Sequence, residues 1–130
     1  KYTELNKSYV LMDEADRLLL SHPDNRLQRW VDYAKAFGGT PSEKHYYEED
    51  ARRIITTWGP GVGDYSARMW AGLISSYYVQ RMKHYYGAQK DHNEFNVAAW
   101  EENWVENGPS KISTPNKDPI AIAKEMIGMN

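Results

Sequence analysis

Residues 40–63 read TPSEKHYYEEDARRIITTWGPGVG, and this stretch contains both a helix start and a helix stop. Thr40 is a suitable N-cap, Pro41 suits the first helical position, and Glu43 stands where a capping box places its carboxylate. The helix is predicted to run to about Thr57, because the glycines and the proline that follow prevent its continuation. A capped helix that ends in a glycine-rich turn is typical of a helical bundle.

Hydrophobic periodicity predicts further helices on both sides of this stretch, and no segment alternates as a strand would. Asp64 is interpreted as the N-cap of the longest helix, which is apolar over more than one stripe and is therefore expected at the centre of the bundle. A polar connector over residues 107–117 precedes a short last helix that starts at Asp118. The remaining predicted helices cover residues 3–20, 26–37, 64–86 and 93–106. The predicted fold class is all-α, a bundle of about five to six helices in a single domain over residues 1–130.

Length and composition limit the classes of function. The 130 residues suit one compact domain, and the absence of cysteine excludes disulfides, thiolate metal sites and cysteine nucleophiles. A net charge of −2 argues against a nucleic-acid partner, and no apolar run is long enough to predict a membrane span. Because the chain starts at Lys1 and not at methionine, we expect a processed chain or a segment of a longer protein.

Metal and nucleophile chemistry have weak sequence signals. The four histidines show no i, i+4 ligand pair, so no metal site or cofactor is predicted. The serines at residues 75–76 lie in a predicted helix and lack the elbow motif of hydrolases. The carboxylates at residues 48–50 and 101–102 are helix neighbours that point in different directions, and we expect them to be solvated. The glycine-rich turn lacks a P-loop lysine, so phosphate binding is not predicted.

The aromatic composition leaves two interpretations open. Ten Tyr and five Trp stand against two Phe, and Tyr and Trp combine an apolar body with a polar tip. Such residues suit sugar-stacking clefts, but they also fill the cores of small helical domains. Trp58 lies beside the glycine-rich turn and is followed by Asp64 and Tyr65, so it either presents its ring to a ligand or closes the end of the bundle.

Four short segments carry a family resemblance. They are residues 51–60 (ARRIITTWGP), 64–67 (DYSA), 70–73 (WAGL) and 77–81 (YYVQR). Together they resemble the C-terminal domain of the alpha-N-acetylglucosaminidases, glycoside hydrolase family 89. The chain departs from the family pattern at Arg53, Ile54, Ser76 and Met82.

The resemblance implies a non-catalytic domain that packs against a larger catalytic barrel and walls one side of its substrate pocket. Members of the family remove terminal alpha-linked N-acetylglucosamine with retention of the anomeric configuration. Both catalytic glutamates of the family lie in the barrel, so the resemblance assigns no catalytic residue to this chain. The resemblance implies that Trp58 and Tyr65 line the sugar site and that Arg52 and Asp64 support it. Arg52 is expected to brace the structure through a hydrogen bond to a nearby carboxylate. Family members are lysosomal in animals and exported in bacteria, so export is expected.

Two other functions stay open from the residues alone. The Tyr and Trp surplus is also expected of a stand-alone sugar-binding module. A purely structural or partner-binding bundle is the third possibility, and full burial of Trp58 and Tyr65 would favour it. If a barrel docks on this domain, the isolated chain should expose an apolar patch.

Overall fold

The computed structural model describes residues 2–109 and 118–128. Within these ranges the chain forms six α-helices and no strand, so the all-α fold class is confirmed. A 3-10 turn, Pro23–Asn25, joins the first two helices, and a π-helical turn, Ile74–Tyr78, leads into the fourth. The helices are α1 Tyr2–Leu19, α2 Leu27–Lys35, α3 Pro41–Ile54, α4 Val79–Lys90, α5 Val97–Asn107 and α6 Pro119–Gly128.

The capping box of α3 forms as predicted. The Glu43 amide donates to Thr40 Oγ1 at 3.2 Å, and the Thr40 amide donates to Glu43 Oε2 at 3.0 Å. Hydrogen bonds from the Gly39 and Thr40 amides hold the pKa of Glu43 below its usual value. The helix ends at Ile54, slightly before the predicted Thr57, since the amides of the next turn bond back to one carbonyl, that of Arg53.

The prediction that Asp64 caps the longest helix is wrong. Asp64 has φ 61°, and helical structure begins only near Ile74, first as the π-helical turn and from Val79 as α4. The intervening segment cannot be helical there because the Ala71 amide donates to the Asn25 carbonyl at 2.7 Å. The true cap comes from α1, where buried Asp16 Oδ2 accepts from the amides of Gly72 at 2.7 Å and Ser75 at 2.8 Å.

The central place predicted for this part of the chain is correct. Leu73 and Tyr77 are fully buried in a cluster with α2 and α5, while Ile74 and Val79 are buried against α1. The π-helical turn therefore supplies side chains to both halves of the core, which fixes the start of α4 from two sides.

The remaining boundaries differ modestly from the expected ones. Helix α4 continues to Lys90, and α5 begins at Val97, because Asn96 Oδ1 accepts from the Ala99 amide at 3.0 Å and caps it. Helix α6 packs on α1 through buried Ile122. Residues 110–117 of the predicted polar connector lie outside the described residues. In the described ranges, no helix combines the length and the apolar character that crossing a membrane requires.

Candidate functional site

Trp58 and Tyr65 lie together on the irregular segment between α3 and the π-helical turn. Their ring centroids are 5.5 Å apart and their planes are inclined by 56°. Trp58 is 45% exposed and Tyr65 is 76% exposed, so this aromatic pair faces solvent and not the core. Rings in such an arrangement offer apolar faces with polar edges to a ligand from outside the domain.

The backbone that presents Trp58 adopts an unusual conformation. The Trp58 amide donates to the Arg53 carbonyl at 2.8 Å, and Trp58 has φ 54°, which places it in the left-handed region where helix ends usually carry glycine. The Asp64 amide donates to the Thr56 carbonyl at 2.7 Å and closes the glycine-rich turn into a loop. A bulky residue at positive φ costs about 1–3 kcal/mol and persists only when the surroundings impose it.

Arg81 of α4 fixes the other end of this loop. Its guanidinium donates to both carboxylate oxygens of Asp64, at 2.8 and 3.2 Å, and to Glu101 Oε1 of α5 at 2.6 Å. The same group lies 4.8 Å from the ring centre of Tyr77 and 5.5 Å from that of Tyr78. Asp64 directly precedes Tyr65, so this network determines where the Tyr65 backbone lies.

The electrostatics of the network follow from its burial. Burial alone would lower the pKa of Arg81, but its hydrogen bonds to Asp64 and Glu101 outweigh this effect and raise the pKa above the usual value. Burial raises the pKa of the Tyr77 hydroxyl well above its ordinary value. Arg81 is therefore a permanent cation, and the Tyr77 phenol stays protonated.

Arg52 lies in the last turn of α3 and connects two helices. It is only 2% exposed, and its Nη1 donates to Glu48 Oε1 at 2.8 Å. Its Nε donates to the Val105 carbonyl at 2.6 Å, and Nη2 to the Glu106 carbonyl at 3.2 Å. Arg52 thus ties α3 to the carboxyl end of α5, where free carbonyls attract a cation.

A cavity of about 330 Å³ opens between the glycine-rich turn and α5. Its wall carries Arg53 of α3, whose guanidinium bonds both Glu102 oxygens. The lining combines backbone of the turn with polar side chains of α3 and α5: Arg53, Thr57, Gly59, Pro60, Gly61, Gly63, Ala98, Glu101 and Glu102. The turn is therefore accessible on the α5 side as well as at the aromatic pair.

The structure brings together residues that the sequence interpretation missed. Arg81 and Glu101 were not predicted as part of the site, and the expectation that the carboxylates at 48–50 and 101–102 are all solvated is wrong for Glu48 and Glu101. Glu48 is buried against Arg52, and Glu101 is largely covered and bonded to Arg81. The one sequence signal for the network is the position of Arg81 four residues after Tyr77, because residues at i and i+4 share a helix face.

A cluster of acidic groups near this site is partly compensated by one arginine. Among the described residues, Glu49, Glu102 and Glu106 bring carboxylate oxygens within 4.8 Å of one another. Arg53 bonds two of the three, with Glu49 at 3.4 Å and Glu102 closer. One fixed guanidinium therefore offsets only part of the negative charge of these three carboxylates.

Comparison with known proteins shows the family. The model described as "Alpha-N-acetylglucosaminidase (NAGLU) C-terminal domain" matches residues 3–128. The human protein named alpha-N-acetylglucosaminidase is 27% identical over 132 residues, which cover 92% of this chain and 18% of the human protein.

A solved structure supports the same fold. The family 89 glycoside hydrolase from Clostridium perfringens, in complex with 2-acetamido-1,2-dideoxynojirmycin, superposes with a TM-score of 0.81 at 24% identity. The match covers 96% of this chain but 16% of that protein, so the chain spans less than a fifth of either relative.

Proposed function

Because the chain belongs to the family of alpha-N-acetylglucosaminidase C-terminal domains, we propose that it walls the sugar pocket of an exo-acting, retaining glycosidase without supplying the catalytic carboxylates. The substrate in this proposal is a glycan that ends in alpha-linked N-acetylglucosamine. The acid/base and the nucleophile, which stand about 5–5.5 Å apart in retaining enzymes, belong to a barrel domain outside these 130 residues. That barrel is the domain's intramolecular partner.

The conformation of Trp58 is the observation that carries the proposal. A tryptophan that only fills the core would be buried, yet Trp58 is half-exposed and holds a positive φ that glycine would adopt more easily. Neither burial nor backbone preference explains the residue at this position. Presentation of the indole to a ligand, next to the exposed Tyr65 ring at 5.5 Å, does explain it.

The surroundings of the pair support contact with a second domain. Val62 and Met69 lie on the same irregular segment and are also exposed. Exposed apolar side chains in one region are typical of a surface that another domain covers. A barrel placed on this segment would enclose the aromatic pair and exclude water from the bound sugar.

The carboxylates that bind Arg81 support a non-catalytic role. Asp64 and Glu101 are both occupied by the Arg81 guanidinium, at 2.8 Å and 2.6 Å. A general acid must deliver a proton to the leaving oxygen and a nucleophile must reach the anomeric carbon. Carboxylates held in a bidentate or shared arginine contact are instead suited to fixing the loop.

The proposal is tested in the full-length glycosidase with an aryl alpha-N-acetylglucosaminide as substrate. Trp58→Ala and Tyr65→Ala should each lower kcat/KM by about tenfold or more, equivalent to about 1.4 kcal/mol of lost stabilisation. Tyr46→Ala is the matched control, since Tyr46 is an exposed aromatic residue on α3 outside the loop. Unchanged kinetics in both loop variants, or clear turnover by the 130-residue chain alone, would overturn the proposal.

A stand-alone sugar-binding module is the second candidate, and the exposure of the aromatic pair favours it over a purely structural bundle. Titration of the isolated chain with N-acetylglucosamine separates the two candidates. Millimolar or tighter binding that is lost in Trp58→Ala supports the module. Absence of binding supports a half-site that needs the barrel.

Export of the protein belongs to the same proposal, since the family resemblance implies a lysosomal or secreted enzyme. Cell fractionation of the native host, with detection by an antibody against this domain, tests it. Recovery of the protein in the cytosol alone would contradict export.

A further inference from the structure

The glycine-rich turn contributes little to the position of the aromatic pair. Among the described residues, the backbone hydrogen bonds of residues 59–63 stay within residues 57–65 and reach no helix. An added Cβ at Gly61 or Gly63 would meet nothing within 4 Å, so the turn is not packed against a neighbour at these two positions. A constraint from outside the turn must therefore fix the place of Tyr65.

Tyr65 supplies no such constraint itself. Its side chain is largely exposed, and in the part of the chain that the structure describes its ring contacts one other ring, that of Trp58. Its amide donates to the Val62 carbonyl at 3.2 Å, which lies in the same loop. A ring held this loosely would have to be ordered by its ligand, and that ordering reduces affinity.

Asp64 is the residue that ties the loop to the helices. Its amide donates to the Thr56 carbonyl at 2.7 Å, and its two carboxylate oxygens accept from the Arg81 guanidinium at 2.8 and 3.2 Å. A two-point contact of this kind fixes the direction of a carboxylate as well as its distance. The contact therefore helps to hold Asp64 at φ 61°, a conformation that a residue other than glycine keeps only where its surroundings impose it.

Arg81 is itself held firmly enough to act as a reference point. Its Nη1 donates to Glu101 Oε1 at 2.6 Å and to the Tyr77 hydroxyl at 3.2 Å. The guanidinium also lies over the rings of Tyr77 and Tyr78. Its place is thus set by α5 and by the π-helical turn, and both are independent of the loop.

We propose that Arg81 is a positioning residue for sugar binding, an inference that rests on the proposed function of the aromatic pair. Its two-point contact with Asp64 sets the direction from which the Tyr65 ring meets the sugar. Arg81 does not touch the substrate and acts only through this loop. Because the ring contacts the sugar in the ground state and in the transition state alike, loss of its position raises KM and leaves kcat nearly unchanged.

The test measures kcat and KM of the full-length glycosidase with an aryl alpha-N-acetylglucosaminide. Arg81→Lys keeps the charge but replaces the guanidinium fork with a single nitrogen, so KM should rise by about fivefold while kcat stays within about twofold. An arginine that only stabilised the fold would instead change the fraction of active enzyme, and so the apparent kcat, at an unchanged KM. Arg29→Lys is the matched control, since Arg29 pairs with Asp24 at 2.9 Å on an exposed surface, and it should leave both constants unchanged.

Asp64→Asn changes the other partner of the contact. Asparagine tolerates the left-handed backbone as aspartate does, but it loses the charge-assisted contact to Arg81. It should therefore raise KM as Arg81→Lys does, and it provides the measurement if the lysine variant does not fold. Wild-type KM in a folded form of either variant would overturn the positioning role.

A double-mutant cycle determines whether Arg81 acts through Tyr65. Arg81→Lys should add less than about twofold to the KM of Tyr65→Ala, because the ring that it positions is then absent. A further rise of about fivefold in the double variant would overturn the positioning role even if both single variants raise KM. Unchanged kinetics in both Tyr65→Ala and Trp58→Ala would instead contradict the proposed function itself, so the two failures are distinguishable.

Discussion

Arg52 and Arg81 are both polar anchors of the bundle, but they hold different kinds of structure. Arg52 is 2% exposed and donates to two backbone carbonyls at the end of α5 as well as to Glu48. The Arg81 side chain is 21% exposed and bonds only side chains, those of Asp64, Tyr77 and Glu101. One arginine joins two helices, and the other joins a helix to the loop that presents the aromatic pair.

The difference predicts how each arginine contributes to the free energy of unfolding. Removal of one partner from a buried ion pair leaves an uncompensated charge in the interior, which is strongly destabilising. Where solvent reaches the pair, water replaces part of the lost interaction. Arg52 should therefore control global stability, while Arg81 should control mainly the local order of the loop.

The largest effect is expected for Arg52→Ala. This variant leaves buried Glu48 with only its Lys35 contact at 3.4 Å and removes the donors to Val105 and Glu106, so unfolding free energy should fall by about 2–4 kcal/mol. Urea denaturation followed by circular dichroism measures the loss. Arg29→Ala is the control, because Arg29 pairs with a carboxylate, that of Asp24, on an exposed surface.

A loss below about 1 kcal/mol in Arg52→Ala would contradict the conclusion that Arg52 controls the stability of the whole fold. If the alanine variant does not fold, Arg52→Lys supplies the second measurement. Lysine keeps the charge, but its donors sit on one nitrogen and cannot reach the three acceptors that Nε, Nη1 and Nη2 of Arg52 contact, so this variant should be intermediate in stability.

Local sequence rules predicted the parts of the fold that depend on neighbouring residues. The α3 capping box is such a case, since Thr40 and Glu43 lie three residues apart and determine the helix start together. The central burial of Leu73 and Tyr77 also followed from the apolar pattern. These features need no knowledge of distant parts of the chain.

The predictions failed where partners are far apart in sequence. Asp64 resembles an N-cap locally, but its carboxylate bonds Arg81, and the cap of the following helix comes from Asp16. Neither pairing has a short-range signal, because the two partners lie on different elements. The placement of Trp58 and Tyr65 together was expected only through the family resemblance.

An intermediate effect is expected for Arg81→Ala. Loss of the contacts to Asp64 and Glu101 should reduce unfolding free energy by about 1–2 kcal/mol and free the Asp64 backbone from its positive φ. Amide hydrogen exchange should accelerate strongly in residues 59–65, and much less in the buried π-helical turn. Mass spectrometry of exchanged peptides separates the two regions.

Arg29→Ala is the matched control, because Arg29 pairs with Asp24 on an exposed surface. It should leave exchange in the loop unchanged. Equal acceleration throughout the chain in Arg81→Ala would mean that Arg81 stabilises the whole fold as Arg52 does, and the contrast between the two arginines would then disappear.

The smallest effect concerns a third, more exposed arginine pair, Arg53 with Glu102. The hydrogen bond from Arg53 lowers the folded-state pKa of Glu102, so the pair stabilises the fold above the unfolded value of about 4.3 and loses this contribution as pH falls through the folded pKa. Glu102→Gln should lower the Tm by about 2–4 °C at pH 7, with the difference from wild type vanishing in acid. Glu94→Gln, at an exposed position outside the pair, should show no such convergence. A Tm difference that grows as pH falls would contradict this assignment, because a carboxylate whose folded-state pKa is lowered contributes least to stability in acid.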